Sequence, residues 1–84
     1  MAAMDDHEVL GQINRLADEE ETLYRLGGEA GGLSEAQRQR LREVEVALDQ
    51  CYDLLRQRQA RRAAGLDPEA AEVRPPRVVE GYEQ

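Results

Sequence analysis

The chain has 84 residues and is therefore one small domain at most. Charged residues make up 35% of it and aromatic residues 4%, with no Trp or Phe, so it lacks the apolar bulk to enclose a large substrate pocket. We therefore do not expect an enzyme. The formal charge is −7, from 18 acidic and 11 basic residues, all of the latter Arg. An acidic chain of this kind is a poor default nucleic-acid binder.

The cysteine content and the hydropathy argue against further kinds of site. Cys51 is the one cysteine in the sequence, so neither a disulfide framework nor a Cys-based zinc site is expected. The opening MAAMDDHEV has no apolar region of the signal-peptide kind, and no apolar run approaches the length of a membrane span. We therefore expect a soluble cytoplasmic protein without membrane contact, and with no cofactor, metal or small-molecule ligand.

The first third of the chain is typical of an amphipathic helix. Asp5 is a good N-cap, and Glu8 stands where a capping-box acid belongs. Val9, Ile13, Leu16, Glu20 and Leu23 then follow at steps of three and four, which is the spacing of one helix face, and four of these five residues are apolar. The pattern predicts a first helix over residues of about 6–26.

A glycine-rich loop over residues 27–33 ends that pattern. It holds four of the seven glycines, and each glycine costs a helix about 1 kcal/mol relative to alanine. A second helix is predicted over residues of about 35–64, with Ser34 and Gln37 as a capping box and Gly65 directly after its end.

Two amphipathic helices joined by a short loop form an antiparallel hairpin. We therefore predict an all-α, coiled-coil-like hairpin over residues 1–65, followed by a tail. The helix seam is predicted to consist of Ile13, Leu16, Leu23, Leu41, Val44, Leu48, Cys51 and Leu55. The loop also sets the register. It places the acidic residues 18–21 opposite Arg38, Arg40 and Arg42, and the acidic start of the first helix near Arg56 and Arg58.

The apolar arc of the second helix is wider than one partner helix covers. At about 100° per residue, the arc spans about 160° of the helix circumference. Either two hairpins pair into a four-helix bundle, or the open face binds a larger protein. We accordingly expect a homodimer or a complex with a larger protein, and not a stable monomer.

The tail, residues 66–84, is acidic and contains all three prolines. Asp67 and Pro68 can start a short helical turn, whereas the prolines within residues 74–77 require an extended chain. By itself this segment cannot bury enough surface to become ordered. We expect it to be partly extended or disordered and to move independently of the hairpin.

The stretch from Leu48 to Arg58 reads LDQCYDLLRQR and continues into an Ala- and Arg-rich end. It resembles the core motif of a family of small actinobacterial proteins known as a domain of unknown function, in which Trp or Tyr stands at the position of Tyr52. The GLDP segment from Gly65 and the VEGY end from Val79 are also similar to that family. The resemblance covers most of the chain and implies an actinobacterial host, but it implies no activity.

The strongest local charge is an arginine cluster near the end of the second helix. It consists of Arg56, Arg58, Arg61 and Arg62. Residues 37–66 carry seven arginines against four acids, a net +3 in a chain of net −7. Arginine binds carboxylates and phosphates bidentately, so these four residues are the candidate partner-binding site. The partner is then an acidic protein or, as the alternative function, nucleic acid bound by a ribonucleoprotein accessory factor. Neutralisation by acids from the first helix and the tail is the competing interpretation.

Two single residues also have both a structural and a functional interpretation. Cys51 is either a small buried apolar residue or, with His7 nearby, a reactive thiol. Glu20 falls within the apolar arc of the first helix. It is either an edge residue paired with an arginine or a buried polar residue that fixes register or partner choice.

Overall fold

The structure, a computed structural model, describes residues 4–29 and 31–79. Two long helices, α1 (Asp6–Gly27) and α2 (Glu35–Ala63), are followed by a 3-10 turn at Pro68–Ala70 and a short helix α3 (Pro76–Val79). α1 and α2 pack against each other, and no strand occurs in the described ranges. The predicted all-α helical hairpin is confirmed.

Capping side chains fix the first residue of each long helix at the predicted place. The Asp5 carboxylate accepts a hydrogen bond from the backbone N–H of Glu8 at 2.7 Å. At α2, the Gln37 N–H donates to the Ser34 hydroxyl at 3.1 Å, and the Gln37 side chain accepts from the Ser34 N–H at 2.8 Å. This reciprocal pair is a complete capping box.

Glycines with positive φ reverse the chain after each long helix. Gly31 and Gly32 have φ of 91° and 61° in the loop between α1 and α2, and Gly65 has φ of 74° after α2. The N–H of Leu66 donates to the carbonyl of Arg61 at 2.8 Å, so α2 ends in a Schellman motif. This ending turns the tail back along α2.

The core lies between the two long helices and includes one residue of the tail. Its buried residues are Val9, Ile13, Val44, Leu48, Leu54 and Ala71, with Met4, Leu16, Cys51 and Leu55 packed partly buried against them. Of the remaining two residues of the predicted seam, Leu23 is buried and Leu41 is half-buried. Leu54, which the helical pattern places on the flank of the arc, is buried because Ala71 packs into the same cluster.

The tail is extended through Arg74 and Pro75, as predicted, but Pro76 and Arg77 are not. They begin the helix α3, because the fixed φ of a proline also suits the first position of a helix.

The described part of the tail packs on α2 instead of standing apart from the hairpin. The side-chain amide of Gln57 donates to the Glu72 carbonyl at 2.8 Å, and that of Gln50 donates to the Arg74 carbonyl at 3.1 Å. Val79 is only 4% exposed. The composition of the tail predicted that it moves independently of the hairpin. That prediction was wrong because composition does not show that side chains of α2 bind the tail backbone. Residues 80–84, with most of the VEGY end, lie outside the described ranges.

Candidate interaction surface

One long side of α2 is covered by the tail, and a buried ion pair holds the tail there. The Asp53 carboxylate is 1% exposed. Arg74 contacts it with two nitrogens, at 2.9 Å from Nε to Oδ2 and 2.6 Å from Nη2 to Oδ1, and Gln57 donates a third hydrogen bond at 3.0 Å. The hydrogen bonds from Arg74 lower the pKa of Asp53, although burial acts in the opposite direction. The carboxylate therefore stays ionised and anchors the tail.

Arg58 is buried, which corrects its place in the predicted partner-binding cluster. Its side chain is 1% exposed, its Nη1 donates to Asp6 Oδ1 at 2.8 Å, and its Nη2 donates to the Met4 carbonyl. Arg62 donates to the second oxygen of Asp6 at 2.5 Å. The hydrogen bonds from Arg62 and Arg58 lower the pKa of Asp6. Asp6 in the first turn of α1 thus pairs with both Arg58 and Arg62. For these two arginines, the interpretation that nearby acids neutralise the cluster is correct.

The other two arginines of the predicted cluster point to different sides of α2. Arg56 is exposed and Arg61 is half-buried. Five residues separate them, which is about 140° of rotation around the helix. Neither forms a salt bridge with any residue of the described ranges. The four arginines therefore do not make a single basic patch.

The opposite long side of the hairpin is open. Leu10 is 50% exposed, Tyr24 is 56% exposed and Tyr52 is 47% exposed. A shallow groove of about 510 Å³ runs between the two helices on this side and continues into a second one of about 390 Å³ along α2. We call this surface the open face. It consists of Leu10, Ala17, Glu20 and Tyr24 on α1 and of Arg42, Glu45, Asp49, Tyr52, Leu55, Arg56 and Gln59 on α2.

A hydrogen bond across the open face connects the two helices. The Tyr24 hydroxyl donates to Glu45 Oε2 at 2.9 Å, and the carboxylate raises the pKa of that hydroxyl. Glu20 lies half-buried beside them and forms no ion pair with a described residue. Glu20 is thus an edge residue of the groove, but without the arginine partner that one interpretation assigned to it.

Arg40 confirms the register on the side of the hairpin away from the open face. It binds the Glu19 carboxylate with two nitrogens, at 2.5 Å and 2.8 Å. The pair joins the acidic run of α1 to α2, as the loop length predicts. Both side chains are well exposed, so the pair contributes mainly to register and little to stability.

Cys51 is half-buried against the core, and burial raises the pKa of its thiol. His7 is exposed in the first turn of α1. A raised thiol pKa is the opposite of what a nucleophile needs. Within residues 4–29 and 31–79, no group of three or more His, Cys, Asp or Glu side chains could hold a metal ion. No helix there combines the length and the apolar character that a membrane crossing requires.

Sequence reasoning missed the residues that hold the tail. Gln50, Asp53 and Gln57 lie on α2 at steps of three and four, which is the same spacing as the apolar seam. A polar row of this spacing on the far side of a helix is a usable signal for a second packed segment. Arg74 stands directly before Pro75, which restricts Arg74 to an extended conformation along that row.

Comparison with known proteins agrees with the resemblance of the core motif. A family model described as "Protein of unknown function (DUF2630)" matches residues 5–84. Uncharacterized proteins of Mycobacterium bovis and Mycobacterium tuberculosis are each 51% identical to this chain over 78 residues, which cover 92% of it and 88% of each relative. No solved structure matches. The chain belongs to the DUF2630 family, whose relatives here are mycobacterial, as the actinobacterial resemblance predicts.

Proposed function

We propose that this protein is a non-enzymatic interaction module, and that its open face binds a helix of a protein partner. The observation that carries the proposal is the difference between the two sides of α2. The tail covers the surface of α2 on one side and exposes its own Leu66, Val73 and Val78. On the other side, the large apolar side chains of the long helices themselves, Leu10, Tyr24 and Tyr52, are exposed and have no covering segment. Tyrosine is enriched at protein interfaces because its ring is apolar and its hydroxyl still finds a partner.

The shape of the open face fits a helix better than a small molecule. The groove lies between two packed helices and follows α2 from Arg42 to Gln59, which is about 26 Å at 1.5 Å per residue. It is shallow and open along its length, whereas small-molecule sites enclose most of the ligand surface. An amphipathic helix laid into such a groove is a recurring mode of protein recognition.

The alternative of nucleic-acid binding receives no support from the placement of the arginines. Arg58 is buried, and Arg62 is bound to Asp6. The open face carries the carboxylates of Glu20, Glu45 and Asp49 against the two arginines Arg42 and Arg56, so it offers phosphate groups no net positive charge.

A photo-crosslinking experiment in an actinobacterial host tests the proposed function. A benzophenone amino acid replaces Tyr52 in one variant and Arg15 in a control variant. Arg15 is also exposed, but it lies about 160° around α1 from Ala17, away from the open face. We expect ultraviolet light to produce a discrete protein adduct from position 52 and none from position 15. The absence of an adduct from position 52 would contradict the proposal.

A second substitution makes that experiment more specific. Leu10→Glu places a charge on the exposed apolar part of the open face without touching the core. We expect it to abolish the adduct from position 52, while the helical circular dichroism signal stays unchanged. An adduct that survives Leu10→Glu would show that the crosslinker captures proteins without using this surface.

A further inference from the structure

The part of α2 on the open face carries a row of residues at alternating steps of three and four. We call this row the α2 stripe. It consists of Arg42, Glu45, Asp49, Tyr52, Arg56 and Gln59. All six are exposed or half-buried, and the spacing is that of the contact line between two helices of a bundle.

The charges of the α2 stripe are complementary to those of a second α2 stripe that runs antiparallel to it. When a second copy of α2 lies antiparallel, with the two-fold axis between residues 50 and 51, Glu45 faces Arg56 of the second copy. The symmetry repeats this ion pair on the other side of the axis. Arg56 forms no salt bridge within the described part of its own chain, so its guanidinium is available for this contact.

The residues in the middle of the α2 stripe are also complementary across the two-fold axis. In the same antiparallel register, Asp49 faces Tyr52 of the second copy, so a carboxylate meets a phenol hydroxyl that can donate to it. A parallel arrangement would instead place each residue against itself. Glu45 would meet Glu45 and Arg56 would meet Arg56, and such like-charge contacts cost free energy.

We propose that the partner of the open face is a second copy of this chain, bound through an antiparallel contact between the two α2 stripes. The inference rests on the proposed function and names its partner. The four long helices then form a bundle whose central contact is polar and therefore specific in register.

Residues of α1 flank the stripe and extend the contact. Leu10, Ala17 and Tyr24 repeat every seven residues along α1, so they share one side of that helix. Tyr24 reaches the stripe through its hydrogen bond to Glu45. The adjoining side of α2 is not free for this contact, because Arg74 and the tail cover Asp53 there, next to Arg56.

Reversal of the charges on the stripe tests the inference. The mass in solution is measured by sedimentation or light scattering over a concentration series, for the full chain and for Glu45→Arg, Arg56→Glu and the double variant. We expect the full chain to reach twice the 9.5 kDa monomer mass. Each single variant places like charges together twice and should stay at monomer mass. The double variant restores both pairs and should dimerise again.

Mixing the two single variants is a sharper form of the same test. In their heterodimer, the arginine introduced at position 45 of one chain faces the glutamate introduced at position 56 of the other. The unaltered Arg56 of the first chain faces the unaltered Glu45 of the second, so both pairs attract. The mixture should therefore reach dimer mass although each component alone does not. Both Glu45→Arg and the double variant lose the hydrogen bond from Tyr24, so recovery in the double variant reports the contact between copies and not the contact within one chain.

Matched controls and named outcomes keep the inference separate from the proposed function. Asp18→Arg and Arg15→Glu make the same charge changes at exposed positions of α1 outside the open face, and both should dimerise like the unaltered chain. A monomeric full chain, or a double variant that stays monomeric, would overturn the inference. If position 52 then crosslinks a different protein, the proposed function stands alone, and if it crosslinks nothing, both fail.

Discussion

The two long sides of α2 use the same kinds of residue in different ways. Asp53 is buried and bound by Arg74, whereas Asp49, one turn earlier, lies on the open face with Arg56. Both sides carry a polar row with helical spacing, so composition alone does not distinguish them. What distinguishes them is that this chain supplies the partner of one row from its own tail. The covered side therefore contributes to stability, and the open side is the surface that we propose for association.

Deletion of residues 66–84 should have the largest effect, because it uncovers the closed side of α2. The deletion removes the buried side chains of Val79 and Ala71 together with the anchor on Asp53. Burial of a valine alone contributes about 1.5–3 kcal/mol. We expect the urea midpoint to fall sharply and unfolding to lose cooperativity in circular dichroism. An unchanged midpoint would show that the tail rests on the hairpin without stabilising it.

The next largest effect should come from a substitution at Arg74, and Arg15 supplies its matched control. Arg74→Ala leaves the buried Asp53 carboxylate without its main counterion. Because Arg74 itself is partly exposed, water replaces part of the lost contact, and the expected cost is about 1–3 kcal/mol. Arg15→Ala removes an exposed charge on α1 and should change the free energy of unfolding by no more than about 1 kcal/mol. Urea denaturation at equal protein concentration measures both. Equal effects would contradict the assignment of stability to the covered side.

The sequence predicted the helices well because their ends are determined locally. Asp5, Ser34 and Gly65 act on backbone groups within a few residues, and each is found in its predicted role. The apolar spacing also predicted which faces of the two helices meet. These signals are all contained in short windows of the sequence.

The candidate site was predicted less well because it depends on contacts between distant segments. Arg58 lies 52 residues from Asp6 in the chain and Arg74 lies 21 residues from Asp53. A cluster of arginines in the sequence indicates charge but not which of its members are already neutralised. From the sequence, the open face was expected only because the apolar arc of α2 is wider than one partner helix covers. The tail covers part of that arc, since Ala71 packs into the same cluster as Leu54.

Acid should destabilise the protein through the carboxylates that arginine holds, at Asp53 under the tail and at Asp6 between the two long helices. The pKa of Asp53 is lowered in the folded protein by Arg74, and that of Asp6 by Arg62 and Arg58. Their contribution is complete above the unfolded-state pKa of about 3.9, and it is lost as the pH falls toward the lowered folded-state values. We expect the free energy of unfolding to fall below about pH 4. In Arg74→Ala the fall should be shallower, and an identical slope would contradict this account.

The smallest effect is expected from Tyr24→Phe on the open side. The substitution removes a solvent-exposed hydrogen bond to Glu45 that water can replace, so the free energy of unfolding should fall only slightly. The carboxylate raises the pKa of Tyr24, and the variant should therefore lose a tyrosinate absorbance step above about pH 10. Because Tyr24 orients the carboxylate that we place opposite Arg56 of a second copy, dimerisation should also weaken, although far less than in Glu45→Arg. A variant that is less stable but dimerises as before would show that Glu45 needs no such orientation, and that Tyr24 belongs to the hairpin alone.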